Sequence, residues 1–256
     1  MTTLHAQIFG SGRPLVALHG IYAHGGRFRA LAEEYLPGFA VHALDLRGHG
    51  HSPHLPPWSL AQQVQDVLTT MDELDLGRAD VLGFSYGGLV AAHLANQAPQ
   101  RVRGLILMDP AIGLDPAASE RGATNAMVDK SFADADEARQ WREQGWPSTA
   151  AAVAQARAEV DEHLVHSHDG RFRWRCQQAA VVVAYSEMAR PAVLPPPGLP
   201  SLLLFGTNAG VVSGDYTQAC RKAGVRVVAV ESGHQLMLER PVETGTAIKD
   251  FLAELE

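Results

Sequence analysis

The sequence predicts an α/β fold built on a mostly parallel sheet, and three observations lead to this prediction. Short apolar strands alternate with amphipathic helical stretches as far as Asp109, which is the rhythm that a parallel sheet requires. A strand passes directly into a helix through the turn Gly83–Gly87, whose sequence is GFSYG. The chain has 256 residues, of which 46% are hydrophobic, so it can bury one large core.

The predicted elements before Asp109 follow this alternation. Three short apolar runs are predicted to form buried strands: 15–18, 80–82 and 102–108. Three further runs are predicted to form helices: 28–36, 60–76 and 88–95. Ser59 is a suitable N-cap for the second of these helices, because its hydroxyl can accept a hydrogen bond from a helix amide.

The strand pattern stops after Asp109. Residues 111–191 contain helical pieces, the clearest at 148–165 and 174–188, with a turn at 169–170 between them. The prolines at 195–197 then return the chain to a predicted strand at 202–206. We therefore expect residues 111–194 to form an all-helical insertion, or cap, between two parts of one core domain, 1–110 and 195–256.

Ser85 is the candidate nucleophile. It lies between two glycines on the predicted strand-to-helix turn, the arrangement of a nucleophile elbow. Such a turn forces the serine into a sparsely populated backbone conformation. Side chains two residues before and after it would collide, which explains glycine at positions 83 and 87.

His234 is the candidate base that would activate this serine. A β-branched strand predicted at 226–230 ends in the loop Glu231–His234, and Pro241 suits the first turn of a closing helix. A loop that follows a late strand can bring the imidazole over the sheet edge toward Ser85. A solvated surface histidine is the alternative interpretation of the same position.

The acid that would orient His234 is the least regular part of the pattern. The loop after the strand 202–206 has no carboxylate before Asp215, and Asn208 cannot balance the charge of an imidazolium. Asp109 ends the predicted strand next to the elbow strand, so it is the preferred candidate, with Asp215 as its rival. Asp109 has an alternative role, which is to accept a hydrogen bond from the backbone of the following turn.

Two backbone amides are candidates for an oxyanion hole. The strand 15–18 ends in a loop where the N–H of Ile21 can point toward the serine, and the N–H of Tyr86 follows the nucleophile directly. Tyr22 adjoins this loop and is the candidate substrate-binding residue. Seven aromatic residues are candidates for the pocket wall: Tyr22, Trp58, Phe84, Tyr86, Trp141, Trp146 and Trp174. Tyr22 and Tyr86 are the best placed, because both adjoin the candidate oxyanion donors.

These residues resemble the α/β-hydrolase family, in its serine hydrolase branch with a helical cap. The resemblance rests on His19–Gly20, the segment Asp45–Ser52, the elbow at Ser85, Gly233–His234 and the segment Glu239–Pro241. The order serine, acid, histidine along the chain is also that of the family. The resemblance implies an eight-stranded sheet with helices on both faces, and an acid placed one strand earlier than usual.

Composition excludes several classes of function. A formal net charge of −7 argues against nucleic acid as a partner. No apolar stretch is long enough to span a membrane, and the first five residues lack a signal-peptide pattern, so we expect a soluble, cytoplasmic protein. Two cysteines are too few for a disulfide framework. The histidines between His42 and His54 fit no metal-ligand spacing, so neither a metal nor a cofactor is predicted.

The leading functional hypothesis is hydrolysis of a carboxylic ester or related acyl compound through an acyl-enzyme. The substrate is expected to be a small molecule with an apolar acyl part, because the candidate pocket residues are mostly apolar. C–C bond hydrolysis, thioester cleavage and perhydrolysis are alternatives that the family carries out with the same residues. A hydrolase-like ligand-binding protein with a weakened triad is the alternative of a different class.

Overall fold

The structure is a computed structural model that describes residues 3–144, 147 and 149–255. Its strands, in chain order, are β1 (Ala6–Gly10), β2 (Arg13–Leu18), β3 (Phe39–Leu44), β4 (Ala79–Phe84), β5 (Val102–Met108), β6 (Ser131–Phe132), β7 (Leu164–His166), β8 (Phe172–Trp174), β9 (Ser201–Gly206) and β10 (Arg226–Val230). Its helices are α1 (Arg29–Tyr35), α2 (Leu60–Glu73), α3 (Tyr86–Gln97), α4 (Pro116–Ala126), α5 (Ala135–Gln144), α6 (Ala150–His163), α7 (Gln178–Met188), α8 (Gly214–Lys222), α9 (Leu236–Glu239) and α10 (Pro241–Ala253).

The main sheet has seven strands among the described residues, in the order β1-β3-β2-β4-β5-β9-β10. Only β1 is antiparallel to its neighbour, and the other neighbouring strands pair in parallel. The expected eighth strand is absent from this part of the chain. The residues before β1 bond elsewhere, because the amide of Leu4 donates to Thr70 and that of His5 donates to Ser52.

The sheet is buried between two apolar layers, as a parallel sheet with helices on both faces must be. Side chains of α2, α3 and α8 pack on one face, and side chains of α1 and α10 pack on the other. Every residue of β4 is buried, so the strand that leads to Ser85 lies in the middle of the core. The predicted α/β fold is confirmed.

The segment between β5 and β9 is not all-helical, so that part of the prediction is wrong. It contains α4 to α7, and it also contains a small antiparallel sheet in the order β6-β8-β7. The predicted turn at Asp169–Gly170 is present, with Gly170 at φ +78°, but it joins two strands and not two helices. Strands of two or three residues are too short to show a period-two pattern in the sequence.

Some predictions fall outside the described part of the chain. Trp146 and Ser148 are among the residues for which no placement is given, so the pocket role of the first and the predicted helix start at the second stay predictions. The division into a core domain and a cap at 111–194 also stays a prediction. None of the helices in the described ranges combines the length and the apolar character that crossing a bilayer requires.

A buried ion pair fixes the loop after β3 to α2. The Nε and Nη2 groups of Arg47 donate to the two carboxylate oxygens of Asp66 at 2.5 and 2.9 Å, and both side chains are buried. This geometry is bidentate, which makes the pair stronger than two neutral hydrogen bonds.

We expect Asp66→Asn to lower the free energy of unfolding by about 3–5 kcal/mol, because it leaves the Arg47 charge buried without its counter-charge. Urea unfolding followed by circular dichroism measures this loss. Asp72→Asn is the matched control, since Asp72 is 65% exposed in its pair with Arg101 and should cost less than about 1 kcal/mol. Equal losses in the two variants would contradict this account of the Arg47 pair.

Candidate active site

Ser85 lies on the turn between β4 and α3 in the strained conformation that the sequence predicts. Its φ is +54° and its ψ is −118°, a combination that residues other than glycine rarely adopt. A Cβ atom at Gly83 would lie 2.3 Å from the carbonyl oxygen of Gly87, and one at Gly87 would lie 2.1 Å from that of Leu18. Both flanking positions therefore require glycine. The Ser85 side chain is only slightly exposed, at the amino end of α3.

His234 reaches this serine from a loop at the same edge of the sheet. It follows β10 on a loop, and its Nε2 atom lies 3.0 Å from the Ser85 hydroxyl oxygen. The carboxylate of Glu239 holds the loop by accepting hydrogen bonds from the amides of Gly233 and Gln235, one on each side of the histidine. The ring of Phe84 lies against the imidazole, with ring centroids 4.8 Å apart.

Asp109 contacts the second ring nitrogen of His234. Its Oδ2 accepts a hydrogen bond from the Nδ1 of His234 at 2.5 Å, and its Oδ1 accepts one from the amide of Gly206 at 3.0 Å. The aspartate is fully buried at the end of β5, with φ +40°. A proton held on Nδ1 in this way leaves Nε2 free to accept the serine proton.

Asp215, the rival acid, is not brought to the histidine. It lies exposed in the first turn of α8. Gly206, the last residue of β9, explains how the carboxylate can come from the neighbouring strand β5. A Cβ atom at Gly206 would lie 2.3 Å from the carbonyl oxygen of Gly233, so the histidine loop packs directly on this turn, and the Gly206 amide binds Asp109.

The loop after β2 lies directly against Ser85. A Cβ atom at Gly20 would lie 3.0 Å from the Cβ of Ser85, so only glycine fits there without displacing the serine. The buried ring of His19 fixes this loop from below: its Nδ1 donates to the carbonyl of Gly20 at 2.6 Å, and its Nε2 accepts from the amide of Leu46 at 2.9 Å. Burial, and then the neighbouring His49, lower the pKa of His19 well below its usual value, so the ring is neutral.

The two predicted oxyanion donors are backbone amides from two chain segments that meet at Ser85. Ile21 belongs to the loop after β2, and Tyr86 is the first residue of α3. An amide in the first turn of a helix has no partner within that helix and lies at its positive end. Within the described residues, neither amide donates a hydrogen bond to another protein group.

A cleft of about 280 Å³ contains Ser85 and His234. Its walls are mostly apolar, and they come from the loop after β2, the start of the segment between β5 and β9, α7 and the loop after β9. The residues that give it this character are Ile21, Phe84, Ala111, Leu114, Tyr185, Met188 and Val211. Sequence reasoning identified Phe84 as a wall residue but missed Leu114, Tyr185 and Met188, which show no signal beyond ordinary core spacing.

Tyr22 and Tyr86, the preferred wall residues, do not line this cleft. The Tyr86 side chain is buried in the core beneath the sheet face, so that prediction is wrong. Tyr22 lines a neighbouring cavity of about 190 Å³ with Lys130 and Trp174, and its backbone has a positive φ of +54°. Trp141 and Trp174 pack together beside the small sheet, and Trp58 donates to the carbonyl of His54.

Known proteins resemble this chain in sequence and in structure. A family model described as alpha/beta hydrolase fold matches residues 13–204. Lipase LipV of Mycobacterium tuberculosis is 34% identical over 257 residues, which span 97% of this chain and 97% of that protein. The pimeloyl-(acyl-carrier protein) methyl ester esterase of Chromobacterium violaceum is 36% identical over 169 residues, which span 66% of this chain and 52% of that protein.

The solved structures extend this likeness at lower sequence identity. The crystal structure of E-2-(acetamidomethylene)succinate hydrolase superposes with a TM-score of 0.87 at 21% identity, over 98% of this chain and 95% of that one. At this identity the likeness concerns the fold.

The close packing of the turn at Ser85 predicts that a methyl group added at Gly87 lowers stability. We expect Gly87→Ala to lower the free energy of unfolding by about 1–3 kcal/mol or more, because the added Cβ would lie 2.1 Å from the Leu18 carbonyl oxygen. Chemical denaturation measures the change. Gly77→Ala is the control, since a Cβ at Gly77 meets nothing within 4 Å. If Gly87→Ala proves as stable as the control, the close packing of this turn is not required.

Proposed function

The chain belongs to the α/β-hydrolase fold family, and we propose that it is a serine hydrolase that cleaves a carboxylic ester or a related acyl compound through an acyl-enzyme. The observation that carries the proposal is the continuous hydrogen-bond chain from Asp109 through His234 to Ser85. Two sequence relatives named as a lipase and a methyl ester esterase favour an ester as the bond cleaved.

The first half of the proposed reaction forms the acyl-enzyme. Ser85 Oγ attacks the carbonyl carbon of the ester while Nε2 of His234 accepts the hydroxyl proton. The carbonyl oxygen becomes an oxyanion, which the amides of Ile21 and Tyr86 stabilise by hydrogen bonds. His234 then returns the proton to the leaving alcohol as the C–O bond breaks, and the acyl group remains on Ser85.

The second half releases the acid. A water molecule gives a proton to His234 and attacks the acyl carbon, and the bond to Ser85 breaks when the histidine returns that proton to the serine oxygen. Asp109 keeps the imidazole in the required tautomer and balances its positive charge throughout. Both half-reactions use the same oxyanion donors.

The shape of the cleft supports an apolar acyl group as the part of the substrate that is bound. Its walls offer aliphatic and aromatic surface around Ser85, and burial of such surface contributes about 25 cal/mol per Å². The same geometry serves thioesters and C–C bonds next to a carbonyl, so a substrate panel must decide among them. The alternative of a purely ligand-binding protein rests on the missing acid after β9, and the hydrogen bond of Asp109 to His234 argues against it.

We expect a fluorophosphonate probe to label Ser85 rapidly, because an activated serine attacks phosphorus as it attacks an acyl carbon. Labelling should disappear in Ser85→Ala and His234→Ala, as followed by in-gel fluorescence and mass spectrometry of the labelled peptide. The control is His168→Ala, an exposed histidine, which should label like the wild-type protein. A folded wild-type protein that does not label would favour a binding function.

The choice of acid gives a second test. We expect Asp109→Asn to lower kcat for a p-nitrophenyl ester by about 10⁴-fold, since an amide holds the wrong imidazole tautomer. Asp215→Asn should leave kcat unchanged, because Asp215 is exposed on α8. The opposite result would transfer the role to Asp215.

A further inference from the structure

A cluster of buried charges joins the segment between β5 and β9 to the loop that carries Ile21. We call Arg27, Arg142 and Glu159 the clamp. Arg27 precedes α1, whereas Arg142 and Glu159 lie on α5 and α6. Glu159 accepts hydrogen bonds from Nε and Nη2 of Arg27 at 2.5 and 2.9 Å, and its Oε2 lies 2.9 Å from Nη2 of Arg142.

The clamp is buried and ionised. Glu159 is 2% exposed and the two arginines are 7% and 6% exposed. Burial opposes ionisation of Glu159, but Arg27 and Arg142 outweigh it and hold the pKa of the carboxyl well below its ordinary value. The carboxylate therefore fixes two guanidinium groups that come from different parts of the chain.

Both guanidinium groups also reach the loop beside Ser85. The Nη2 group of Arg142 donates to the carbonyl oxygen of Tyr22 at 2.9 Å, and that of Arg27 approaches the same oxygen at 3.4 Å. Tyr22 is the residue directly after Ile21, and its φ of +54° is unfavourable for a tyrosine. Contacts from outside the loop must hold such a conformation in place.

The loop is thus fixed at both ends. His19 holds its start through the Gly20 carbonyl and the Leu46 amide, and the clamp holds the Tyr22 carbonyl. Gly20 packs against Ser85, so a small rotation of the loop would change where the Ile21 amide points relative to the serine. Hydrogen bonds to an oxyanion are sensitive to such shifts, because the donors must lie within about 2.7–3.1 Å of the oxygen.

We propose that Glu159 and Arg142 are positioning residues: with Arg27 they hold the Tyr22 carbonyl and thereby aim the Ile21 amide at the oxyanion of the Ser85 reaction. This inference rests on the proposed function. It means that a part of the chain far from the triad in sequence completes the oxyanion hole, and that loss of the clamp acts on the transition state and not on substrate binding.

The test uses Glu159→Gln and Arg142→Lys in the full-length protein. Glutamine keeps the shape of the carboxylate but removes the charge that fixes both arginines. Lysine keeps the positive charge but has one compact ammonium, which does not replace a planar guanidinium that bonds two oxygens. Neither residue lines the cleft, whereas Arg27 does, so Arg27 variants are left out.

The matched control is Asp161→Asn. Asp161 pairs with Arg139 at 2.9 Å, also between α6 and α5, but this pair is exposed, whereas the clamp is buried. Four quantities are measured for each variant: kcat and KM for a p-nitrophenyl ester, the inhibition constant of a trifluoromethyl ketone, and that of the matching methyl ketone. The trifluoromethyl ketone forms an oxyanion with the serine, and the methyl ketone serves as a ground-state analogue.

We expect kcat to fall by about 10- to 100-fold in Glu159→Gln and Arg142→Lys, somewhat less than loss of a whole oxyanion donor, with KM nearly unchanged. The inhibition constant of the trifluoromethyl ketone should rise by a similar factor, and that of the methyl ketone should stay unchanged. Asp161→Asn should match the wild-type protein. Thermal unfolding verifies that each variant is folded. If Glu159→Gln does not fold, the Arg142→Lys variant provides the test.

Unchanged kcat in a folded Arg142→Lys protein would overturn the inference, and so would an equal rise in the inhibition constants of the two ketones. These outcomes leave the proposed function intact, because the wild-type protein still hydrolyses the ester. A wild-type protein that neither hydrolyses esters nor binds the trifluoromethyl ketone more tightly than the methyl ketone would instead overturn the proposed function.

Discussion

The strained, positive-φ backbone of Ser85 is the constraint on which the rest of the site depends. A non-glycine residue in this conformation stores about 1–3 kcal/mol of strain, so its surroundings must hold it there. The Ser85 amide donates to the carbonyl of Met108, and the Ser85 carbonyl accepts from the amide of Ala111. These two hydrogen bonds fix the end of β5 beside the elbow. Asp109 lies between them, so the same contacts that support the strained serine deliver the buried carboxylate to His234.

The parallel sheet brings the remaining groups together from distant parts of the chain, because the carboxyl ends of its strands share one edge. The loop after β2 meets Ser85 at Gly20, and the loop after β10 meets the end of β9 at Gly206. At Gly206 the approach is closer than a side chain would allow, and at Gly20 an added Cβ would require Ser85 to shift. Charged groups support the site on two sides. A single carboxylate, that of Asp109, binds the imidazole, whereas the clamp of two arginines and Glu159 binds the Tyr22 carbonyl.

The sequence predicted those features that have a local cause. The glycines around Ser85, the β-branched strand before His234 and the apolar strand before Asp109 each determine their own conformation, and the structure places them as expected. The short strands at 164–166 and 172–174 were missed because three residues carry no periodic signal. The contact between Arg27 and Glu159 joins residues 132 positions apart, so no local pattern reveals it. The positive φ of Tyr22 is likewise not signalled by the sequence.

Trapping of the acyl-enzyme tests the central claim most directly. The protein is mixed with a slowly hydrolysed p-nitrophenyl ester, quenched in acid within the first turnover, and digested for mass spectrometry. The account predicts a burst of p-nitrophenol equal to the amount of enzyme, and a peptide containing Ser85 whose mass is increased by the acyl group. Turnover that leaves Ser85 unmodified, or that places the acyl group on another residue, would contradict it.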